Sequence, residues 1–561
     1  MELHHTLLRL NHQDISPLYP FLTLLCLWFL FFCWKSKSDQ SYSNEAKTVP
    51  YRNPFFKSTI GFAFYGPSFF LRLKLFQRYS GALRVRLVTE DIYIVHGPKY
   101  VTEIFQNPNL SVTKAYAYAL QYCFGMHPKA AAAYHNDTSG SRTKPIMGSY
   151  VKPTGRIGYS THENLVDCLL KSGLEPTTTQ FETALFQYLQ LCNLNEEWVY
   201  YDDIAKFFEN LLGQAILKAL FGPLLLEANE HFVEDLFEYD KVVMNLARRV
   251  PWFINPKPYR LRKKIVESIK RWHSAAKLVS DSVTASASDA DSAWGSSIMK
   301  DRHEMLMNSE GQDEDSVAST DFGLIWASVT NVVPSTLTMA VHTFSDPQIL
   351  LEVRKALEEQ SCHATSLNMD YLEKIPILLS LYAETLRFGV QIHIPRDAPH
   401  HDVQVGNTTL PQTSIIFLNT WLAHSDDNIW NTQNGRHPLN TFWPYRFLVY
   451  PSDSSSGPCK TASKETPQMN ETEAKFSAEG LQGSWIPYGS GHHACPGRLL
   501  AKRIMLKSVA TLAMSYDIEI LSYEQPPKFD SPRFGFGVMK PAKVTPFRIR
   551  KRSVPSTNSF R

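Results

Sequence analysis

Tyr488-Gly489-Ser490-Gly491-His492-His493-Ala494-Cys495-Pro496-Gly497-Arg498 is a glycine-rich loop that runs into a helix, whose apolar stripe passes through Leu500, Ile504, Leu506, Val509 and Leu512. Gly489, Gly491 and Gly497 let the backbone turn tightly and approach a large flat ligand. Pro496 suits the first helical position. Cys495 is therefore expected beside a helix N-terminus, where the positive end of the dipole and unpaired amides lower a thiol pKa.

A lone cysteine so placed reads as a thiolate ligand of heme iron, a ligation that favours O–O cleavage. Two other readings stand beside it. One is a buried apolar cysteine in a glycine turn. The other is a zinc site using His492, His493 and Cys495, which lacks a nearby fourth ligand or a CxxC pair.

Three further stretches carry chemistry. Glu384-Thr385-Leu386-Arg387 sets acid and base three residues apart on one helical face. The run Phe388 to Arg396 alternates Val390, Ile392 and Ile394, as a strand passing over a ligand does. In Leu324 to Thr336, Pro334 removes a helix hydrogen bond and predicts a kink that exposes carbonyls.

Together these residues resemble the cytochrome P450 family. Tyr488, Gly491, Cys495 and Gly497 match its heme loop, while His493 stands where the family usually has arginine to contact a heme propionate. Phe442-Trp443-Pro444-Tyr445-Arg446-Phe447 resembles the family's aromatic-x-Pro-x-Arg-Phe segment, so the resemblance implies a buried structural triad of Glu384, Arg387 and Arg446. It also implies that Ala327, Val390, Ile392 and Phe536 line a substrate pocket. Thr330 and Asn331 replace the family's acid and threonine on its long central helix, and are the catalytic candidates. Arg396 reads either as a surface arginine at a strand end or, by resemblance, as a propionate ligand. The region from Thr177 to Leu191 has no Lys or Arg to match the family's propionate-binding helix.

Trp326-Ala327-Ser328, Asn331 and Pro334 are similar to the branch holding cholesterol 7α-hydroxylase, sterol 12α-hydroxylase and prostacyclin synthase, as are Ser172 to Pro176 and Phe534 to Val538. The long polar insertions resemble fungal members. The resemblance implies heme b, an NADPH-cytochrome P450 reductase as electron source, and oxidation of a bulky lipophile, a steroid, terpenoid or related secondary metabolite. Two alternatives remain: a heme-thiolate isomerase acting on a lipid peroxide without reductase, and a membrane heme-binding protein without turnover.

With 561 residues, 43% hydrophobic, the chain can bury a large core, and a net charge of +3 gives no basic field for nucleic acid. Eight scattered cysteines form no disulfide framework. Leu18 to Trp34 carries no charge and spans about 26 Å as a helix. Lys35, Lys37, Lys47, Arg52 and Lys57 follow it and only Arg9 precedes it, which by the positive-inside rule leaves the remainder in the cytosol. The expectation is an endoplasmic-reticulum anchor over 1–37 with one transmembrane helix, a proline-containing linker over 38–54, a mainly α heme domain with minor β over 55–550, and a tail over 551–561. Ser280 to Ser292 and Ser452 to Gly480 read as polar surface loops.

Overall fold

Leu83-Arg84-Val85-Arg86-Leu87 and Ile92-Tyr93-Ile94-Val95 are short alternating runs whose period of two predicts strands, and a strand forms at each. In the computed structural model β1 (Lys47–Thr48), β2 (Ala82–Arg86) and β3 (Asp91–Val95) begin one sheet, with Leu83 opposite Ile94 across the antiparallel β2–β3 pair. It is completed by β4 (Val390–Asp397), β5 (Ile415–Asn419) and β6 (Phe536–Val538), in the order β1-β2-β3-β5-β4-β6. A three-stranded sheet joins Tyr516–Ile520, Phe547–Lys551 and Val199–Tyr201. The structure describes residues 45–553 apart from 52, 54, 77–80, 283–292, 362–367, 461–472 and 523–528. The expected anchor, most of the linker, much of both polar loops and most of the tail lie outside the described residues.

Helices dominate the rest. Those that build the site are α1 (Pro98–Gln106), α2 (Thr113–Tyr118), α3 (Leu174–Leu191), α4 (Ile204–Phe221), α5 (Phe232–Asp240), α6 (Lys257–Ser280), α7 (Ser297–Met307), α8 (Glu314–Thr330), α9 (Val332–Phe344), α10 (Pro376–Gly389) and α11 (Arg498–Ser515). The chain is mainly helical, as expected. Apolar residues at helical spacing run from Phe322 to Phe344, but α8 begins earlier, at Glu314; its first two turns are mostly polar and carry no apolar stripe. They are fixed instead by a capping box in which the Asp313 carboxylate accepts from the Ser316 amide and the Ser316 hydroxyl from the Asp313 amide.

Every residue of α9 is buried. Glu314–Phe344 is long and apolar enough to cross a bilayer, but 78% of its apolar window is buried inside the fold, so it is the core helix. Phe322 meets Phe124 edge-on at 5.3 Å and has no exposed surface. Truncating such a ring costs about 3–5 kcal/mol.

The kink predicted at Pro334 is a break between α8 and α9 at Asn331. Proline has no amide to give the carbonyl four residues back, that of Thr330. Arg533 takes that carbonyl instead, at 2.8 Å.

Candidate active site

The Cys495 amide donates to the Tyr488 carbonyl at 2.8 Å and closes the loop. Gly489 and Gly491 have φ of +69° and +68°, conformations that other residues adopt at a cost. A side chain at Gly491 would also collide with the Phe105 carbonyl of α1. The helix begins two residues later than Pro496 predicted, at Arg498 with Gly497 as its cap.

Cys495 carries accessible surface, yet burial pushes its thiol up, and the Gly497 amide and Arg498 charge offset this only in part. Tyr116 of α2 is half exposed and shows the same combination, with its hydroxyl raised by burial and then by the Cys495 charge. Accessible surface that protein encloses lines a recess, so the enclosure governs the electrostatics here. The expected lowering of the thiol pKa by the helix end is overturned, because desolvation outweighs the dipole. A coordinating metal deprotonates a thiol outright, which removes the difficulty for an iron ligand.

Around the cysteine, His493 Nδ1 lies 3.1 Å from Ser141 Oγ, and His492 Nε2 lies 3.0 Å from the Ser141 carbonyl. His162, which the sequence did not single out, packs its ring 4.6 Å from that of His492 at a tilt of 47°. With both histidines engaged by Ser141, the zinc reading finds no support: among the described residues these two and Cys495 do not gather as a ligand set. Burial, then the Arg396 charge, push His493 down to about 3. It is a neutral imidazole in the place of the family's cation.

Arg396 is 2% exposed and so is no surface arginine. Its Nη1 donates to the Pro395 carbonyl at 2.8 Å, its guanidinium lies 5.2 Å over the Phe105 ring, and its Nη2 has no partner among the described residues. Burial lowers its pKa to about 10, which leaves it charged at neutral pH. A buried guanidinium nitrogen without an acceptor calls for an anion. A carboxylate such as a heme propionate fits that requirement, and the accessible sulfur with its glycine turn fits the iron end.

The structure brings Glu384, Arg387 and Arg446 together, all at most 3% exposed. Arg387 donates from Nε and Nη2 to the two Glu384 oxygens at 2.6 and 2.8 Å, and Arg446 Nε lies 3.1 Å from both. The Trp443 amide adds a bond to Glu384 at 2.9 Å. Burial works against the Glu384 charge, but the two arginines prevail and hold its pKa below the usual carboxylate range. Arg387 also donates to the carbonyls of His424, Leu439 and Thr441. His424 Nε2 accepts the Ile486 amide at 3.1 Å, and Tyr382 of α10 lies 3.3 Å, oxygen to oxygen, from Tyr488. One helix thus carries both the ion pair and a contact to the start of the cysteine loop.

β4 links this loop to the core helix. Ile394 packs beside Gly489, and two residues earlier Ile392 pairs with Phe536 of β6. Phe536 lies 5.2 Å from Trp326. Next to Trp326, Ala327 is exposed on a helix most of whose residues are buried, and Ile392, Phe536 and Asn331 keep part of their surface. Two expectations need correction. Val390 is 4% exposed and belongs to the core, because only part of the β4 alternation faces open space. Thr330 has no exposed surface, and its hydroxyl donates to the Trp326 carbonyl at 2.9 Å, so it meets no substrate.

The sequence did not point to Arg533, Asp240 and Lys540. Asp240 ends α5 and is 4% exposed. It accepts from Trp326 Nε1 and Lys540 Nζ at 2.8 Å each and pairs with Arg533. Burial would raise its pKa, but these cations hold it at about 2. Asn331 Oδ1 accepts the Val538 amide at 3.1 Å, while its Nδ2 is a long 3.4 Å from the Ala327 carbonyl.

A family model described as Cytochrome P450 matches residues 49–546. The chain is 27% identical to "Cytochrome P450 monooxygenase efuG" of Hormonema carpetanum, over 93% of this chain and 94% of that protein. It is 27% identical to "Cytochrome P450 monooxygenase fsoE" of Humicola fuscoatra, over 94% and 93%. The expected branch is found at lower coverage, with Cytochrome P450 7A1 of Oryctolagus cuniculus at 24% identity over 70% of this chain and 75% of that protein. The solved structure "Retinoic acid bound cyanobacterial CYP120A1" superposes with a TM-score of 0.60 at 14% identity, over 91% of this chain and 100% of that one, a likeness of fold. The chain belongs to the cytochrome P450 family and is a cytochrome P450 monooxygenase.

Proposed function

We propose that the chain holds heme b through Cys495 and Arg396 and oxidises a bulky lipophile of the steroid or terpenoid class, using dioxygen and electrons from NADPH-cytochrome P450 reductase. The observation that carries this is the pairing of a cavity-facing Cys495 with a buried Arg396 nitrogen that lacks an acceptor. Bound there, a heme thiolate supplies the oxygen-activating chemistry, and the protein positions substrate against it.

The chain's own contributions are specific. Gly491 and Gly497 admit the flat group, and Arg396 Nη2 fixes one edge by binding a carboxylate. Trp326, Phe536 and Ile392 form an apolar wall that keeps water from the reacting carbon. Ala327 leaves room beside it. Asn331 Nδ2, only weakly engaged, is the amide that holds a water as proton carrier, since an amide can donate and accept but is no acid.

The enzyme works at the endoplasmic-reticulum membrane, anchored through residues 1–37 with the catalytic domain in the cytosol. Trp252, Phe253 and Ile254 are 66–69% exposed, Phe64, Tyr65 and Leu71 are exposed as well, and the Arg248 guanidinium lies 5.2 Å over the Phe64 ring. An exposed apolar patch of this kind supports contact with lipid near the anchor.

The test is spectroscopic and chemical. The carbon monoxide complex of the reduced protein should absorb at the thiolate-ligated position and lose that band in Cys495→Ala, while Arg396→Ala should release heme about tenfold faster, as the loss of one charge-assisted bond predicts. With reductase and a converted lipophile, oxygen-18 from dioxygen should enter the product. An unlabelled product would overturn the reading.

A further inference from the structure

Outside the Cys495 loop, three helices bring metal-binding side chains together in the core. His273 of α6, His303 of α7 and Asp321 of α8 are 4%, 4% and 1% exposed. One nitrogen from each ring and one Asp321 oxygen all lie within 4.8 Å of one another. His273 Nε2 is 3.0 Å from Asp321 Oδ2, near the ~3.3 Å edge of a tetrahedron with ligand bonds of about 2.0 Å.

The surroundings orient this set. Arg302 Nε donates to the other carboxylate oxygen at 3.0 Å, which leaves Oδ2 on the His273 side, as outer partners of a metal ligand do. His303 is held between Trp294 at 4.7 Å and His273 at 4.6 Å. Among the described residues neither of its ring nitrogens has a hydrogen-bond partner. A buried imidazole with both nitrogens unsatisfied is costly, and none of the described residues relieves it.

We propose that His273, His303 and Asp321 hold a structural zinc ion, with water as the fourth ligand. Two imidazoles and one carboxylate without thiolate are ligands that zinc accepts in a tetrahedron. The ion satisfies a His303 nitrogen and ties α6, α7 and α8 to one another, so its binding free energy adds to folding. The site is separate from heme binding and does not depend on the proposed substrate.

The experiment uses the full-length holoenzyme, stripped with a zinc chelator and refilled with zinc sulfate. About one zinc per chain should return, counted by plasma mass spectrometry beside the heme content, and the unfolding temperature should rise with zinc. Zinc-edge X-ray absorption on the wild type should show two imidazole nitrogens and oxygen neighbours at about 2.0 Å. His303→Phe should lose the zinc and its thermal effect while keeping heme. A zinc content at buffer level, sulfur in the coordination shell, or zinc undiminished in His303→Phe would each overturn the site. So would a His303→Phe protein more stable than the zinc-treated wild type, which marks relief of two unpaired nitrogens rather than loss of a ligand.

Discussion

Arg533 donates from Nη2 to the Thr330 carbonyl at 2.8 Å, the same carbonyl that Pro334 leaves without its helical amide. The guanidinium also donates from Nε to the Val538 carbonyl at 2.7 Å and pairs with buried Asp240. One side chain therefore closes the break in the core helix, fixes β6 and neutralises an interior charge.

Arg533→Ala should lower stability by about 3–5 kcal/mol, since Asp240 keeps only Lys540 as a cationic partner. Arg533→Lys restores charge but not the three-way fork, so it should recover less than half of the loss. Chemical denaturation of the holoprotein measures both. Wild-type stability in Arg533→Ala would show that Lys540 alone suffices.

His424 gives a pH prediction. It is 2% exposed, with Nδ1 3.1 Å from the Arg387 carbonyl and Nε2 accepting the Ile486 amide. Nε2 must be unprotonated to accept, so the neutral ring is the folded form. Burial, then the Arg387 charge, lower its pKa from 6.5 to about 3. The unfolded chain thus binds the extra proton first. The neutral ring's contribution is complete above pH 6.5 and is lost as pH falls from there toward 3, at about 1.4 kcal/mol per unit. His424→Gln, with an amide that does not titrate, should show a shallower fall over that window in urea titrations. Parallel profiles for variant and wild type would rule the assignment out.

The heme loop and the acid-base pair were legible because each is local: Cys495 sits among its own glycines, and Glu384 and Arg387 share one helical face. Their burial and the arrival of Arg446 came through a spaced segment that resembles the family. Arg533 was not legible, since its partner Thr330 lies 203 positions away and no periodicity records such a bond. One trace was present: a Cβ at Gly537 would come within 2.6 Å of the Arg533 guanidinium, so that glycine makes room for the side chain. Thr330 was misread because sequence position does not reveal that its hydroxyl turns back onto its own helix. The Cys495 thiol was misjudged for a different reason, the greater weight of burial over a helix end.

The Glu384 pair yields a third expectation. Removing Arg387 strips two bonds from a carboxylate with no exposed surface and frees the His424, Leu439 and Thr441 carbonyls. Arg387→Ala should cost about 3–5 kcal/mol and leave little heme-loaded protein. Glu384→Gln keeps volume but leaves two arginines facing each other, and should be nearly as damaging. The heme-to-protein absorbance ratio after purification reads the outcome. Normal loading in both variants would detach this cluster from the cysteine loop.

Asn331 separates scaffold from proton delivery. Its Oδ1 holds the Val538 amide and approaches Arg533 at 3.4 Å, whereas Nδ2 makes only the long contact to Ala327. Asn331→Asp keeps the acceptor and adds a charge beside Arg533, so β6 should stay in place while the donor is lost. Asn331→Ala removes both. If the Nδ2 donor places the water that carries protons, both variants should consume NADPH while releasing peroxide or water at the expense of product, with coupling down about tenfold. If Asn331 serves only to hold β6, Asn331→Asp should couple like wild type and Asn331→Ala alone should fail, with weaker substrate-induced spectral change. Product formed per NADPH consumed, measured beside heme content for the two variants, decides between these roles.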